Sequence, residues 1–92
     1  MEDFDDQEWI EMQKMYVNHT SKELVKIKSN LTLEYLDSIR TFGHNIKGSG
    51  GMYGYDEVTE IGLLIESAAK DANLDSIESY LKKLEVFLKS KL

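Results

Sequence analysis

A chain of 92 residues is long enough for one hydrophobic core and too short for two. The composition, 41% hydrophobic and 30% charged with no cysteine, is that of an ordinary globular domain and excludes disulfides and thiolate metal sites. The formal net charge of −6, without a block of basic residues, argues against nucleic acid or an anionic membrane as partner. No apolar run approaches the ~18 residues of a membrane span, and the acidic start, Met1–Asp6, is unlike a targeting segment. We therefore expect one cytoplasmic domain over residues 1–92.

Apolar residues recur at helical spacing, beginning near the N-terminus. The first predicted helix has a continuous apolar stripe formed by Trp9, Met12, Tyr16, Thr20, Leu24, Ile27 and Leu31. The second predicted helix begins after a candidate N-cap, Thr32, and extends towards Tyr53. Its apolar positions are Leu36, Ile39, Phe42 and Ile46.

Two further helices complete the pattern. The third predicted helix begins near Asp56, a candidate cap, and has apolar positions at Val58, Ile61, Ile65, Ala68, Ala69 and Ala72. The fourth begins near Asn73 or Asp75 and carries Ile77, Leu81, Leu84 and Leu88. Four amphipathic helices joined by short connections predict an all-α fold, an antiparallel up-down four-helix bundle.

His44 is misplaced for a core residue of the second predicted helix. On a helical wheel it lies roughly 150° from the centre of the apolar sector, so it should face water. Lys47 and Gly48 follow at i+3 and i+4 on the same side. An exposed imidazole is mostly neutral near pH 7 and can attack phosphorus, and a nearby ammonium can stabilise phosphoryl oxygens. This grouping suits phosphoryl chemistry.

Glycines crowd the same stretch at a cost to helix stability. The set is Gly43, Gly48, Gly50, Gly51 and Gly54. Together they would cost a helix about 3–5 kcal/mol relative to alanine, a large share of a small domain's stability. On the wheel Gly43 and Gly50 point inward and permit close helix approach, whereas Gly48 and Gly51 point outward and leave space around His44. The run from Gly48 to Gly51 also fits a turn that ends the helix early.

These residues carry a family resemblance. His44-Asn45-Ile46-Lys47-Gly48-Ser49, followed by Gly54, resembles the H-x-[LI]-K-G-S-x(5)-G signature of histidine-containing phosphotransfer (HPt) domains. The run Ile61–Ala69 resembles the helix that follows in that family. The resemblance is tight over residues 44–72 and agrees in helix spacing over about 33–90, while the first helix matches only in being amphipathic.

The resemblance implies a phosphorelay intermediate. His44 would accept the phosphoryl group through Nε2, Lys47 would contact that group, and Gly48 would keep the approach open. The partners would be response-regulator receiver domains, a hybrid histidine kinase, or both. Mg²⁺ is expected on the receiver and no cofactor on this chain. We expect a monomeric phosphocarrier that is not an enzyme in its own right, since the chain has no ATP-binding kinase domain.

The same residues could also suggest a P-loop or a metal site. A P-loop is rejected because Lys47 precedes Gly48 and no strand comes before it. A metal site is disfavoured because the two histidines, His19 and His44, lie on different predicted helices without a carboxylate pair. His19 suggests an incidental role. Glu66 suggests a solvated or ion-paired side chain rather than a second functional carboxylate, and Leu63, opposite its apolar face, is a candidate docking residue.

One alternative function stays open: a helical adaptor or docking module that binds a receiver-like partner without phosphotransfer. Such a module would keep an apolar patch around His44 but would not need the imidazole. The register of His44 with Lys47 and Gly48 favours the phosphocarrier.

Overall fold

The computed structural model describes residues 5–92, and four α-helices account for most of them. They are α1 (Asp6–Ser29), α2 (Leu36–Ser49), α3 (Asp56–Lys70) and α4 (Leu74–Lys89). Short 3₁₀ turns at Leu33–Tyr35 and Gly51–Tyr53 precede and follow α2. Residues 1–4, which belong to the predicted domain and to its acidic start, lie outside the described residues.

The helices pack as the predicted antiparallel bundle around one core. All the predicted apolar positions of α4 are buried, and the core continues through α2 and α3. The least exposed side chains come from every helix: Val17, Ile39, Val58, Ile65, Ile77, Leu81, Leu84 and Leu88. Fully burying an aliphatic side chain of this size contributes about 1.5–3 kcal/mol, so this core is the main source of stability. No helix within residues 5–92 combines the length and apolarity that crossing a membrane requires.

The cap predicted at Asn73 is confirmed, whereas the caps predicted at Thr32 and Asp56 are wrong, although α3 does begin at Asp56 as predicted. The Asn73 side chain caps α4 by accepting a hydrogen bond from the backbone N–H of Ser76. Thr32 instead precedes the first 3₁₀ turn and makes no side-chain cap, so α2 begins at Leu36, three residues later than a cap at Thr32 predicts. Asp56 is the first residue of α3 rather than its cap. Its carboxylate in the first turn still complements the helix dipole.

Ala72 was predicted on the apolar face of the third helix, and that prediction is wrong. Helix α3 ends at Lys70, and Ala72 is exposed with a φ of 53°. Its backbone N–H donates to the carbonyl of Ala69, and the N–H of Asn73 donates to the carbonyl of Ala68. These bonds satisfy carbonyls in the last turn of α3, as is common where a helix is followed by a residue in the left-handed conformation. The tight turn lets α4 fold back along α3.

Helix α1 is held to the end of α2 by an aromatic stack. The rings of Tyr16 and Tyr53 are stacked with centroids 4.4 Å apart, and Trp9 is also nearly parallel to Tyr53 with centroids 6.4 Å apart. The hydroxyl groups of Tyr16 and Ser49 share a hydrogen bond of 2.8 Å, and the Gln13 amide donates to the Tyr53 carbonyl. These contacts fix the glycine-rich end of α2, where helix propensity is lowest.

The early end of α2 agrees with the glycine content. The helix stops at Ser49, and Gly54 takes a φ of 84°, which favours glycine because it has no Cβ. A Cβ on Gly50 would lie 2.7 Å from the backbone nitrogen of Thr59, which confirms that Gly50 faces inward against α3. The backbone N–H of Gly51 donates to the Thr59 hydroxyl. The glycines therefore form a compact connection between α2 and α3.

Candidate functional site

The site is built where α2 and α3 approach most closely. A Cβ on Gly43 would lie 2.7 Å from the backbone nitrogen of Glu66, and one on Gly62 would lie 2.6 Å from the backbone nitrogen of Lys47. Real Cβ atoms do not come this near to backbone atoms, so only glycine fits at both positions. The close approach brings the side chain of Glu66, on α3, against the exposed face of α2.

Glu66 contacts two of the predicted site residues at once. Its Oε2 lies 3.0 Å from Nδ1 of His44, and its Oε1 lies 2.8 Å from Nζ of Lys47. The glutamate itself is buried, with 6% of its surface exposed. Both carboxylate oxygens thus have a partner, as a carboxylate removed from water requires.

The carboxylate of Glu66 is stabilised in its ionised form. The hydrogen bond from Lys47 is the main reason that the pKa of Glu66 lies below its ordinary value of 4.5; burial opposes this effect, and the hydrogen bond with His44 adds to it. An ionised carboxylate can only accept hydrogen bonds. The proton of the His44–Glu66 bond must therefore be on Nδ1, which leaves the lone pair of the neutral ring on Nε2.

The structure places His44, Lys47 and Gly48 on one side of α2. The His44 side chain is 63% exposed, which confirms that it faces water. Lys47 lies beside it, paired with Glu66. A Cβ on Gly48 would meet no atom within 4 Å, so the backbone on this side of the imidazole is bare. The arrangement is an exposed imidazole on an open face.

Glu66 is the site residue that sequence reasoning missed. It was interpreted as a solvated or ion-paired side chain; the structure shows the ion pair, but the carboxylate is buried and also contacts His44. Glu66 lies on the flank of the apolar face of α3. A helical wheel of α3 does not show how close α2 lies to that flank, so the contact with His44 could not be predicted from it. Gly62, one turn earlier, carried a signal, since a glycine inside a helix often marks close packing.

His19 and Leu63 make no hydrogen bond or ion pair with this group. His19 is 74% exposed on α1 and lies 3.6 Å from Glu23 of its own helix. Leu63 is exposed, as predicted for a residue opposite the apolar face. An open groove of about 800 Å³ separates α1 from α2 and is lined by Thr41, Asn45 and Ser49 but not by His44. The imidazole is exposed on the surface and is not part of the lining of that groove.

The chemistry available at the site follows from its charges. The ionised carboxylate at Nδ1 stabilises positive charge that develops on the ring when Nε2 attacks an electrophile. Within residues 5–92, no group of three or more carboxylate or imidazole side chains is placed to hold a metal ion. The residues present can supply a nucleophile, orient it and stabilise its product.

Comparison with known families identifies the family of this chain. A family model described as "Hpt domain" matches residues 11–89, which is most of the chain. No curated protein and no solved structure matches the sequence. The matched range begins within α1 and ends at the last residue of α4.

Proposed function

Because this chain belongs to the Hpt domain family, we propose that it is a phosphorelay intermediate that accepts and donates a phosphoryl group on Nε2 of His44. Family membership indicates a phosphotransfer role in two-component signalling. Hpt domains interact with receiver domains, so the partners that we propose are response-regulator receivers or a hybrid histidine kinase. The phosphoryl donor and acceptor are then the aspartates of such receivers.

The observation that carries this proposal is the buried carboxylate of Glu66 beneath the exposed ring of His44. It favours the tautomer with a free Nε2 and orients the ring outward. In the forward step the Nε2 lone pair forms the N–P bond while the P–O bond of the aspartyl phosphate breaks, and the aspartate leaves with the electron pair. The Nδ1 proton stays in place, bonded to Glu66, and no proton has to leave the ring.

The remaining site residues support an exchange between two proteins. Lys47 completes the charge balance of Glu66 and places an ammonium near the reacting nitrogen. The bare backbone at Gly48 leaves room for a receiver's acidic pocket to close over Nε2, as in-line transfer requires. We propose that Mg²⁺ belongs to that receiver and not to this chain, and that the protein acts as a cytoplasmic monomer.

A labelling experiment tests the assignment. The protein is incubated with a phosphorylated receiver, or with a promiscuous histidine kinase–receiver pair, and acid-labile, alkali-stable label is followed. We expect label on the wild type and none on His44→Gln. His19→Gln is the matched control, because His19 is at least as exposed and should label normally. Lys47→Ala should label about tenfold more slowly or worse, the effect of losing one charge-assisted contact.

Two outcomes contradict the proposal. Full label on His44→Gln would place the phosphoryl group elsewhere. A wild type that takes no label from any competent donor would support the docking-module alternative. Circular dichroism of each variant shows that a loss of label is not a loss of fold, which the exposure of both histidine rings leads us to expect.

A further inference from the structure

The charge of Lys47 is already balanced before any phosphoryl group arrives. Its ammonium lies 2.8 Å from a buried carboxylate oxygen of Glu66, and the other oxygen is taken by His44. A phosphoryl group adds about one and a half to two negative charges at neutral pH. Removing Lys47 from Glu66 to meet that charge would leave a buried carboxylate without its cation, which is costly. A second cation near Nε2 would avoid this cost.

Arg40 is placed to be that cation. It lies on α2 four residues before His44, so the two side chains share one exposed face of the helix. Side chains of a helix lean towards its N-terminus, which tilts the His44 ring towards the turn that carries Arg40. Arg40 and Lys47 are the two basic residues of α2, and Arg40 is the single arginine of the whole sequence.

The guanidinium of Arg40 forms no ion pair with any of residues 5–92. The ion pairs found within residues 5–92 take their cations from His19, Lys28, His44, Lys47 and Lys89. None of them uses Arg40, and its side chain is exposed to solvent. A planar guanidinium offers a fork of N–H donors that matches two phosphoryl oxygens at once, which the ammonium of a lysine cannot do.

We propose that Arg40 binds the phosphoryl oxygens of phosphorylated His44, while Lys47 remains with Glu66 and holds the ring. This inference rests on the proposed function and adds a phosphoryl-binding residue to it. Arg40 exchanges no proton and forms no covalent bond in the transfer step. Its contribution is to stabilise the phosphorylated form of this protein relative to the phosphorylated receiver.

The first measurement uses the isolated full chain, so that no partner contributes. The protein is phosphorylated with phosphoramidate, and the side-chain Nε–H signal of arginine is followed by NMR; a single arginine gives a single signal. We expect that signal to shift when ³¹P NMR shows phosphohistidine, and not to shift in His44→Gln treated in the same way. An unchanged signal in the phosphorylated wild type would overturn the inference.

The second measurement is the equilibrium of phosphoryl exchange with a receiver. Loss of a partly exposed charge pair should shift this equilibrium about fivefold towards the receiver in Arg40→Ala. Arg40→Lys should fall between Arg40→Ala and the wild type because it keeps the charge but not the fork. Lys70→Ala is the control, since Lys70 is an exposed cation one turn beyond Glu66 on α3. An equal shift in Lys70→Ala, or none in Arg40→Ala, would overturn the inference.

The two proposals fail in different ways. A wild type that forms no phosphohistidine with phosphoramidate or with a receiver contradicts the proposed function, and the role of Arg40 is contradicted with it. A wild type that is phosphorylated on His44, but whose arginine signal does not shift and whose exchange equilibrium is not changed by Arg40→Ala, contradicts the second proposal alone. If Arg40→Ala weakens receiver binding while the arginine signal of the wild type does not shift on phosphorylation, Arg40 is a docking residue and phosphoryl binding is contradicted.

Discussion

Gly43 and Gly62 face each other across the α2–α3 interface, so that a Cβ on Gly62 would stand 2.7 Å from the carbonyl oxygen of Gly43. This pair sets the distance between the two helices and thereby decides whether a carboxylate on α3 can reach an imidazole on α2. Glycine inside a helix lowers stability, but at these two positions it permits the close approach of α2 and α3. The site is therefore a property of the helix interface as much as of the motif on α2.

The first prediction concerns that interface. Gly62→Ala should force α2 and α3 apart, because the new methyl group would meet backbone atoms that cannot move aside. We expect a loss of about 1–3 kcal/mol in the free energy of unfolding, the usual effect of overpacking, and weaker contact between Glu66 and His44. Chemical denaturation measures the first effect, and the His44 ring signals in NMR report the second.

Gly48→Ala is the matched control for that substitution, and we expect it to raise the free energy of unfolding instead of lowering it. A Cβ there meets nothing within 4 Å, so the helix should gain about 0.5–1 kcal/mol from the better propensity of alanine. Phosphotransfer should nevertheless slow, since the methyl group narrows the approach of a receiver. Equal destabilisation by both substitutions would contradict the distinction between the buried and the bare glycine.

The second prediction concerns the tautomer of His44. With Glu66 ionised at 3.0 Å from Nδ1, the neutral ring should carry its proton on Nδ1. Ring ¹⁵N shifts of the wild type at neutral pH should therefore show a protonated Nδ1 and an unprotonated Nε2. Glu66→Ala should give a mixture of both tautomers and slow phosphotransfer by about tenfold or more, because the nucleophile is no longer oriented. An unprotonated Nδ1 in the wild type would contradict this account.

Much of the fold could be predicted from the sequence because burial repeats with the period of a helix. That period placed Ile39, Phe42 and Ile46 in the core and His44 in water, as the structure has them. Helix caps were harder to predict. Thr32 and Asp56 have side chains that can cap a helix, but neither one caps a helix in the structure. The role of Glu66 was out of reach for a related reason. The position of Glu66 on the helical wheel of α3 does not show the distance between α3 and α2. That distance is set by Gly43 and Gly62.

The third prediction concerns the attachment of α1 to the end of α2. Tyr16 is buried, and its hydroxyl shares a hydrogen bond with Ser49, next to the bare turn of the site. Tyr16→Phe keeps the aromatic stack and removes only this bond, so the free energy of unfolding should fall by about 0.5–1.5 kcal/mol. Amide hydrogen exchange at Gly48 and Ser49 should become faster, while α4 is unaffected. Unchanged exchange at these amides would show that the bond does not hold α2.

The last prediction concerns the dependence of stability on pH. The pKa of Glu66 is depressed in the folded protein, mainly by the hydrogen bond from Lys47. The unfolded chain therefore binds a proton at a higher pH than the folded one. The stabilisation from Glu66 is complete above the ordinary value of 4.5 and is lost as the pH falls through the depressed value. Denaturation midpoints of the wild type should decline in this acidic range, and Glu66→Gln should show a smaller decline.

Glu85 provides the comparison that separates stability from function. Its pKa is also depressed, chiefly by the hydrogen bond from Lys28, which joins α1 to α4 far from His44. Glu85→Gln should flatten the acid dependence of stability in the same direction as Glu66→Gln. Only Glu66→Gln should also slow the labelling of His44, because only Glu66 contacts the ring. If Glu85→Gln slowed labelling equally, the effect of Glu66 would have to be attributed to general destabilisation rather than to its hydrogen bond with His44.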